Sequence, residues 1–451
     1  MAIQLSDHFT TRKILRFTLP SIAMILFTSL YGVVDGFFVS NFAGKTPFAA
    51  VNFIMPFIMI LGTFGFMFGT GGSALVSKTM GEGQAEKANR LFSMLVCVAI
   101  GTGVILAVGG IAFIRVIAVR LGAEGEMLEE CVQYGRIVLM VLPGFMLQHV
   151  FESFFVAAEK PQLGFAVTVA AGVANMGLDW LFIAVFGWGI AGAASATAIS
   201  QLVGGFVPVV YFLRPRSARL RLTVPEWDGR ALLKTCTNGS SELMTGFSMS
   251  FISMLYNMQL MKYAGENGIA ANGVLMYVGL FFVGVFIGYS VGTAPVIGFH
   301  YGAQNHAELR SLLQKSLCLI GASSVVMLLL GEVLSTPFSM LFVGYDPALL
   351  ALTKRAFLFY SFSFLFAGIA IFGSGFFTAL NNGLISALIS FLRTLVFETA
   401  SVLLLPLLWG TDGIWCSCVI AEGMAALVTA VFLLTQKKRY HYGKEKAASL
   451  L

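Results

Sequence analysis

Asn41-Phe-Ala-Gly-Lys-Thr-Pro-Phe-Ala-Ala is followed, 221 positions later, by the similar stretch Lys262-Tyr-Ala-Gly-Glu-Asn-Gly-Ile-Ala-Ala. The same offset relates further pairs of identical residues: Gly81 and Gly302, Ala158 and Ala379, and Gly192 and Gly413. A constant offset at such separated positions indicates that the chain consists of two similar halves. Weak internal repeats of this kind, in a chain embedded in lipid, are typical of secondary transporters.

The composition predicts a membrane protein. Hydrophobic residues make up 57% of the 451 residues and charged residues 11%. A soluble domain carries about 25% charged residues, so this chain has too few to cover a surface that faces water. Apolar runs of about 18 or more residues recur along the whole length, as at 48–68. The N-terminus is polar through Thr11 and the first apolar run is long, so no cleavable signal peptide is predicted.

The apolar runs predict twelve helical spans, six on each side of a break at 214–230. The predicted spans are 14–40, 48–76, 88–114, 127–156, 161–186, 189–213, 231–262, 269–298, 308–332, 347–379, 383–409 and 413–435. Several exceed the about 20 residues that cross a bilayer, which indicates tilt or extension beyond it. The predicted fold class is all-α: a polytopic membrane protein with twelve transmembrane helices in two pseudo-symmetric six-helix lobes.

The break between the two sets of spans sets the predicted domain boundaries. The N-terminal six-helix lobe covers 1–213, a cytoplasmic linker 214–230, the C-terminal six-helix lobe 231–436 and a basic cytoplasmic tail 437–451. Six spans return the chain to the side on which it began. The two repeats are therefore parallel, related by an axis along the membrane normal.

Basic residues predict the orientation. They concentrate before the first span, in the tail Lys437-Lys-Arg and in the break Arg214-Pro-Arg-Ser-Ala-Arg-Leu-Arg, whereas the opposite loops carry acids such as Glu124. The positive-inside rule then places both termini in the cytoplasm. We expect the protein in the plasma (cytoplasmic) membrane, the inner membrane of a bacterial cell. The basic break could also bind lipid headgroups or nucleic acid, but topology alone explains it, and no nucleic-acid partner is predicted.

Acids within apolar spans are the strongest candidates for function, because a charge at bilayer depth is costly and is retained for a partner or an ion. Asp35 lies late in the first span. Asp179 lies in the fifth span with Asn175 one turn earlier on the same face, and Thr197 lies in the adjacent sixth span. These oxygens could hold a small hard cation, with a sodium site at Asp35 and Asp179, or share protons between the two carboxyl groups.

The repeat supports this ion site. At the 221-residue offset Asp35 corresponds to Tyr256, Asp179 to Ala400 and Thr197 to Cys418. Glycines of the scaffold recur in the second half, whereas the acidic residues do not. The alternative is that local hydroxyl and backbone groups satisfy structural acids.

Glu152 and Glu242 are further candidates for a substrate-binding or coupling acid. Glu152 follows His149 by one turn and could face a central cavity. Glu242 opens the seventh span after Gly239-Ser-Ser, where the helix dipole alone would also favour an acid.

In the second half, Arg393 and Glu398 lie five positions apart and are predicted to form a structural ion pair. The role of Glu422 is left unassigned. The six cysteines are scattered through apolar runs and are interpreted as small buried residues.

Other function classes lack their sequence signals. No Gly-Lys-Ser/Thr follows Gly69-Thr-Gly-Gly, so an ATP-driven pump is not supported. An enzyme is not predicted, because the pair of His149 and Glu152 lacks a third member. No short repeated filter segment of an ion channel is visible.

Four stretches resemble the multidrug and toxic compound extrusion (MATE) family. They are Val34-Asp-Gly-Phe-Phe-Val-Ser-Asn-Phe-Ala-Gly, Gly81-Glu-Gly-Gln, Asn175-Met-Gly-Leu-Asp-Trp-Leu-Phe-Ile and Pro295-Val-Ile-Gly-Phe-His-Tyr-Gly-Ala-Gln. Together with the order and spacing of these stretches, the resemblance extends over essentially the whole chain.

The resemblance implies an antiporter that exports organic cations or drugs in exchange for protons or sodium, with no other cofactor. It places the family's first-half ion site at Asp35, Asn175, Asp179 and Thr197, and Glu242 at an acid that some branches use. The tenth span, 360–380, has no Asp or Glu, although some branches carry a functional aspartate there. This departure favours the first-half site.

The alternative within the same superfamily is a flippase for a lipid-linked or amphiphilic substrate. Such proteins tend to have a basic central cavity, whereas the intramembrane cations here reduce to Arg393. We therefore expect small organic cations as substrates. Membrane lipids surround the protein, and twelve spans in one chain make a monomer sufficient.

Overall fold

The computed structural model describes residues 3–214, 219–344 and 346–442. Within these ranges all regular secondary structure is helical. The helices are α1 (Thr11–Ala43), α2 (Lys45–Gly81), α3 (Ala85–Leu121), α4 (Gly125–Met140 and Leu142–Ala157), α5 (Pro161–Val185), α6 (Gly189–Leu213), α7 (229–264), α8 (Asn267–Gly302), α9 (His306–Val343), α10 (Pro347–Ala379), α11 (383–409) and α12 (411–435).

The predicted fold class is confirmed. By length and composition, nine helices of the described residues could cross a membrane, and α4, whose two segments meet at 56°, makes a tenth. One of the nine is a 53-residue helix, Gly383–Thr435, which a kink at Gly410 divides into α11 and α12. Helix α7 is long enough to cross a membrane, but it is not one of these nine candidate helices. Together these give twelve helices, six in each half.

Glycines with positive φ mark equivalent turns in the two halves. Gly44 (φ 112°) separates α1 from α2, and Gly265 (φ 63°) separates α7 from α8. Gly189 (φ 57°) opens α6, and Gly410 (φ 59°) precedes α12. Such angles are accessible to glycine because it has no Cβ. Both pairs have the 221-residue offset, so the backbone repeats the duplication that the sequence predicts.

The N-terminal segment bridges the two halves. The backbone N–H of Leu5 donates to Glu159 Oε1 (2.7 Å), at the end of α4. The backbone N–H of Phe9 donates to Glu308 Oε1 (2.8 Å), in the first turn of α9. Both Leu5 and Phe9 are buried, at 0% and 1% exposure. The segment therefore lies against the loops that join even-numbered to odd-numbered helices.

The C-terminal part of the described chain lies at the same end of the bundle. The side chain of Asn382, between α10 and α11, donates to the Tyr440 hydroxyl (2.9 Å). We call this end, where the described chain begins and ends, the terminal end. Residues 215–218 of the predicted linker and 443–451 of the predicted tail lie outside the described residues, and the predicted domain boundaries stay a prediction.

The halves touch through backbone at the terminal end. A Cβ at Gly81 on α2 would collide with the carbonyl oxygen of Phe299 on α8, and a Cβ at Gly302 on α8 would collide with the carbonyl oxygen of Lys78 on α2. Gly81 and Gly302 are equivalent in the repeat, and so are Lys78 and Phe299. The helices α2 and α8 therefore cross about the pseudo-twofold axis and close the terminal end.

Candidate functional site

The first-half acids lie where α1 packs against α5. A Cβ at Gly172 on α5 would lie 2.6 Å from the Phe27 ring and 2.9 Å from the Tyr31 ring of α1. This close approach brings the two helices together. Asp35 follows Tyr31 by one helical turn, and Asp179 follows Gly172 by two turns, so both acids lie further along the same contact.

The carboxyl groups of Asp35 and Asp179 lie within hydrogen-bonding reach of each other. Asp179 is 0% exposed, and Asn175, one turn earlier, is 2% exposed. No donor among the described residues reaches either oxygen of Asp179, Oδ1 of Asp35 or Oδ1 of Asn175. Buried charges without partners are strongly disfavoured, so this oxygen cluster requires a proton or a cation.

Tyr134 completes the cluster and was missed by the sequence reasoning. This fully buried side chain of α4 lies in the same region as both carboxyl groups. Its hydroxyl donates to Met55 Sδ (4.0 Å) and lies near Thr197 on α6. The structure therefore brings Asp35, Asn175 and Asp179 together, and Thr197 lies next to them on the far side of Tyr134. We call these four with Tyr134 the first-half cluster.

Glu152 belongs to an adjoining polar group. Its Oε2 lies 3.0 Å from Nδ1 of His149, and both side chains are buried. The His149 ring stacks on Phe66 of α2, with centroids 3.7 Å apart. Tyr31 lies within reach of Gln148 and close to Glu152. Glu152 therefore lies inside the first half, where Tyr31 is close both to it and to Asp35. That Glu152 faces a central cavity stays a prediction.

Glu242 lies at the interface between the halves. A Cβ at Gly239 would collide with the backbone of Met67, and one at Gly246 would lie 2.7 Å from Thr63 Oγ1, so both glycines face α2. Glu242 is three residues after the first glycine and four before the second, which places it on the same face of α7. It is half-buried, with no ion-pair partner in the part of the chain that the structure describes.

The predicted ion pair between Arg393 and Glu398 is wrong. Arg393 Nε lies 2.9 and 2.8 Å from the two carboxylate oxygens of Glu422 on α12, and its Nη2 lies 2.7 Å from Oε1. Glu398 Oε1 instead accepts a hydrogen bond from the Tyr256 hydroxyl (2.6 Å). The reason is that both carboxylate oxygens of Glu422 face the planar guanidinium of Arg393 from the neighbouring helix. Sequence spacing within one helix cannot reveal such a contact between helices.

We expect Arg393→Met to lower the free energy of unfolding by about 3–5 kcal/mol, because it leaves Glu422 as an unpaired buried charge. The measurement is the thermal and denaturant unfolding of the detergent-purified protein. The double variant Arg393→Met with Glu422→Leu is the control and should recover most of the loss, since no buried charge remains. Equal losses in the single and double variants would contradict this account of the pair.

Comparisons with known proteins agree with this architecture. The MatE family model matches residues 20–181 and 243–403, one segment in each half. Multidrug export protein MepA of Staphylococcus aureus (strain MRSA252) is 23% identical over 95% of this chain and 94% of that protein. MepA of Staphylococcus haemolyticus (strain JCSC1435) is also 23% identical, over the same shares.

Solved structures of the same fold cover nearly the whole chain. One, described as the outward-facing conformation of a multidrug resistance MATE family transporter of the MOP superfamily, has a TM-score of 0.91 and 21% identity, over 98% of this chain and 99% of that one. A MOP superfamily transporter from Pyrococcus furiosus, whose binding pocket is described as having reverse polarity, has a TM-score of 0.89 and 20% identity, over 96% and 97%.

Proposed function

The chain belongs to the multidrug and toxic compound extrusion (MATE) family of transporters, and on that premise we propose that it exports organic cations or drugs in exchange for protons or sodium ions by alternating access. The export function named for the MepA relatives supports small molecules as its substrates. We place it in the plasma (cytoplasmic) membrane with both termini in the cytoplasm, working as a monomer, since one chain contains all twelve helices.

The observation that carries the coupling proposal is the pair of Asp35 and Asp179. Two carboxyl groups within reach of each other, without donors on the oxygens of Asp179, cannot both stay ionised unless something positive lies between them. A shared proton or a sodium ion supplies that charge. Asn175, Thr197 and Tyr134 add neutral oxygens around it, which suit a small hard cation.

Helix α1 connects this cluster to the contact between the halves. Between Asp35 and the terminal end, α1 packs against α8. Thr18 of α1 contacts Gly292 of α8, and Ile22 contacts Gly288. Pro20 lies between these two contacts and removes a helical hydrogen bond there. A change in the charge at Asp35 can therefore alter the path of α1 and the closure of the terminal end. Coupling requires that the ion and the substrate prefer opposite states by about 1–3 kcal/mol.

Efflux of ethidium from proteoliposomes tests this function. With the purified protein reconstituted, an imposed proton or sodium gradient should drive ethidium against its own gradient, and an ionophore that collapses the imposed gradient should abolish the efflux. Liposomes without protein are the control. The gradient that supports efflux identifies the coupling ion.

Absence of ethidium movement under both gradients would contradict the proposal. Movement of a labelled anionic lipid between leaflets in the same proteoliposomes would then favour the flippase. The pairing of Arg393 with Glu422 argues against that outcome, since it neutralises the intramembrane cation that a phosphate group would bind.

A further inference from the structure

The N-terminal segment, residues 3–10, is held by both halves of the protein. It leads directly into α1 of the first half, where the Thr10 side chain caps the helix by accepting from the backbone N–H of Lys13. Near its other end, the backbone N–H of Leu5 donates to Glu159, also in the first half. The residues between these two points contact the second half instead. We call residues 3–10 the N-terminal strap.

Glu308 of α9 is a buried acid of the second half whose hydrogen-bond donors come from the first. Its side chain is 8% exposed. Oε1 accepts from the backbone N–H of Phe9 (2.8 Å), and Oε2 lies 2.6 Å from Nδ1 of His8. In the described part of the chain, both hydrogen bonds that reach this carboxylate come from the N-terminal strap. Because a buried carboxylate without donors is strongly disfavoured, loss of the strap from Glu308 is costly.

Phe9 is the residue of the strap that the second half binds most fully. Its carbonyl oxygen accepts from Nζ of Lys315 on α9 (2.6 Å). Its ring is buried and packs edge to face against the buried His300 ring of α8, with centroids 6.4 Å apart. The second half therefore contacts Phe9 at its N–H, its carbonyl and its ring.

The strap has no spare length between Phe9 and α1. Only Thr10 separates Phe9 from Thr11, the first residue of the helix, and one residue spans at most about 3.5 Å. When the halves move apart at the terminal end, either Phe9 must leave its partners on α8 and α9 or α1 must leave the first half. The close contact of α1 with α5 at Gly172 favours the release of Phe9.

The first-half anchor of the strap adjoins the crossing of α2 and α8. Glu159 also pairs with Arg219, which follows α6, and the Arg219 guanidinium lies 5.4 Å from the centroid of the Phe299 ring on α8. The carbonyl oxygen of Phe299 is the atom that a Cβ at Gly81 would meet. The strap and the crossing therefore lie side by side, and both connect the halves at the terminal end.

We propose that the N-terminal strap holds the terminal end closed, and that its contacts with Glu308, Lys315 and His300 break each time that end opens. Glu308 is a positioning residue in this device, since it acts through the strap and not on the substrate or the coupling ion. The proposal rests on the proposed function, because alternating access is what opens the terminal end. The coupling between the strap and the crossing can nevertheless be measured without transport.

Maleimide labelling at position 77 measures the effect of the strap on the terminal end. Ser77 of α2 is 0% exposed at the crossing. In a full-length variant without the six native cysteines, Ser77→Cys should be labelled at least about fivefold faster when Glu308→Ala removes the acceptor of the strap. Glu86→Ala is the matched control, because Glu86 lies in the first turn of α3, the equivalent of α9 in the repeat, but is exposed. This control should change the labelling rate by no more than about twofold.

Hydrogen exchange of the strap, followed by mass spectrometry of the full-length protein, measures the reverse effect. The backbone N–H groups of Leu5 and Phe9 are hydrogen-bonded and should exchange slowly in the wild type. Gly302→Val should part the crossing, since its Cβ would collide with the backbone of Lys78. Because coupling between two contacts is reciprocal, the strap should then exchange at least about fivefold faster. Gly321→Val is the control, since its Cβ would meet nothing within 4 Å.

Three results would overturn the proposal. The first is fast exchange of the strap in Glu308→Ala without faster labelling at position 77, because the strap would then have left a terminal end that stays closed. The second is equal acceleration of labelling by Glu86→Ala. The third is unchanged exchange of the strap in a Gly302→Val protein that is labelled rapidly. Should Glu308→Ala fail to elute as a single species, Leu5→Ala replaces it, since Leu5 is fully buried at the other anchor. Neither measurement needs transport, so a failed ethidium assay would leave both results interpretable.

Discussion

Asp35→Asn and Asp179→Asn should each lower gradient-driven ethidium efflux by at least about tenfold, equivalent to about 1.4 kcal/mol in the activation free energy of transport. Each substitution keeps the size and the oxygen of the side chain but removes one of the two carboxyl groups that lie within reach of each other. The pair then no longer needs a proton or sodium ion between its members, so the imposed gradient has little to act on. Initial efflux rates in proteoliposomes measure the effect.

Asp412→Asn is the matched control for this pair. The Asp412 carboxylate binds Arg355, with Nε 2.8 Å from Oδ1, and the guanidinium is 62% exposed. Surface ion pairs contribute about 0–1 kcal/mol, so efflux should stay within about twofold of the wild type. Efflux that survives in both Asp35→Asn and Asp179→Asn would exclude the first-half cluster as the coupling site and would direct attention to Glu242.

The fold could be predicted from the sequence because glycines and apolar runs act locally. Gly44 and Gly265 repeat at equivalent turns, and the apolar runs that flank them are long enough to count the spans. Asp35, Asn175 and Asp179 could be found because an acid in an apolar span is conspicuous and because helical spacing puts two of them on one face.

Other features of the site depend on contacts between helices, which spacing does not encode. Tyr134 reaches the cluster from α4, whose segments bend by 56° before Pro143, whereas the sequence predicted one uninterrupted span there. Tyr31 could have been found, since it lies one turn before Asp35. The partner of Arg393 could not, because Glu422 lies 29 positions away on another helix.

Gly302→Val should separate the halves at the terminal end and so favour the state that is open there. A Cβ at this position would collide with the backbone carbonyl of Lys78, which a rotamer change cannot move aside. We expect ethidium efflux to fall by at least about tenfold, because a transporter that cannot close one end cannot complete its cycle. Gly81→Val should act in the same way, since the repeat gives it the equivalent contact with Phe299.

Labelling of a cysteine at position 77 separates this effect from simple misfolding. Ser77 on α2 is 0% exposed, and its Cβ lies 3.4 Å from the Cβ that Gly298 of α8 would carry. In a variant without the six native cysteines, Ser77→Cys should react with a polar maleimide at least tenfold faster when Gly302→Val is present. Gly321→Val on α9 is the control, because its Cβ would meet nothing within 4 Å. Equal labelling rates in the two valine variants would mean that the α2–α8 crossing does not hold the terminal end closed. Faster labelling of the Gly302→Val variant, in a protein that still elutes as one species, would identify the α2–α8 crossing as the contact that alternating access must break.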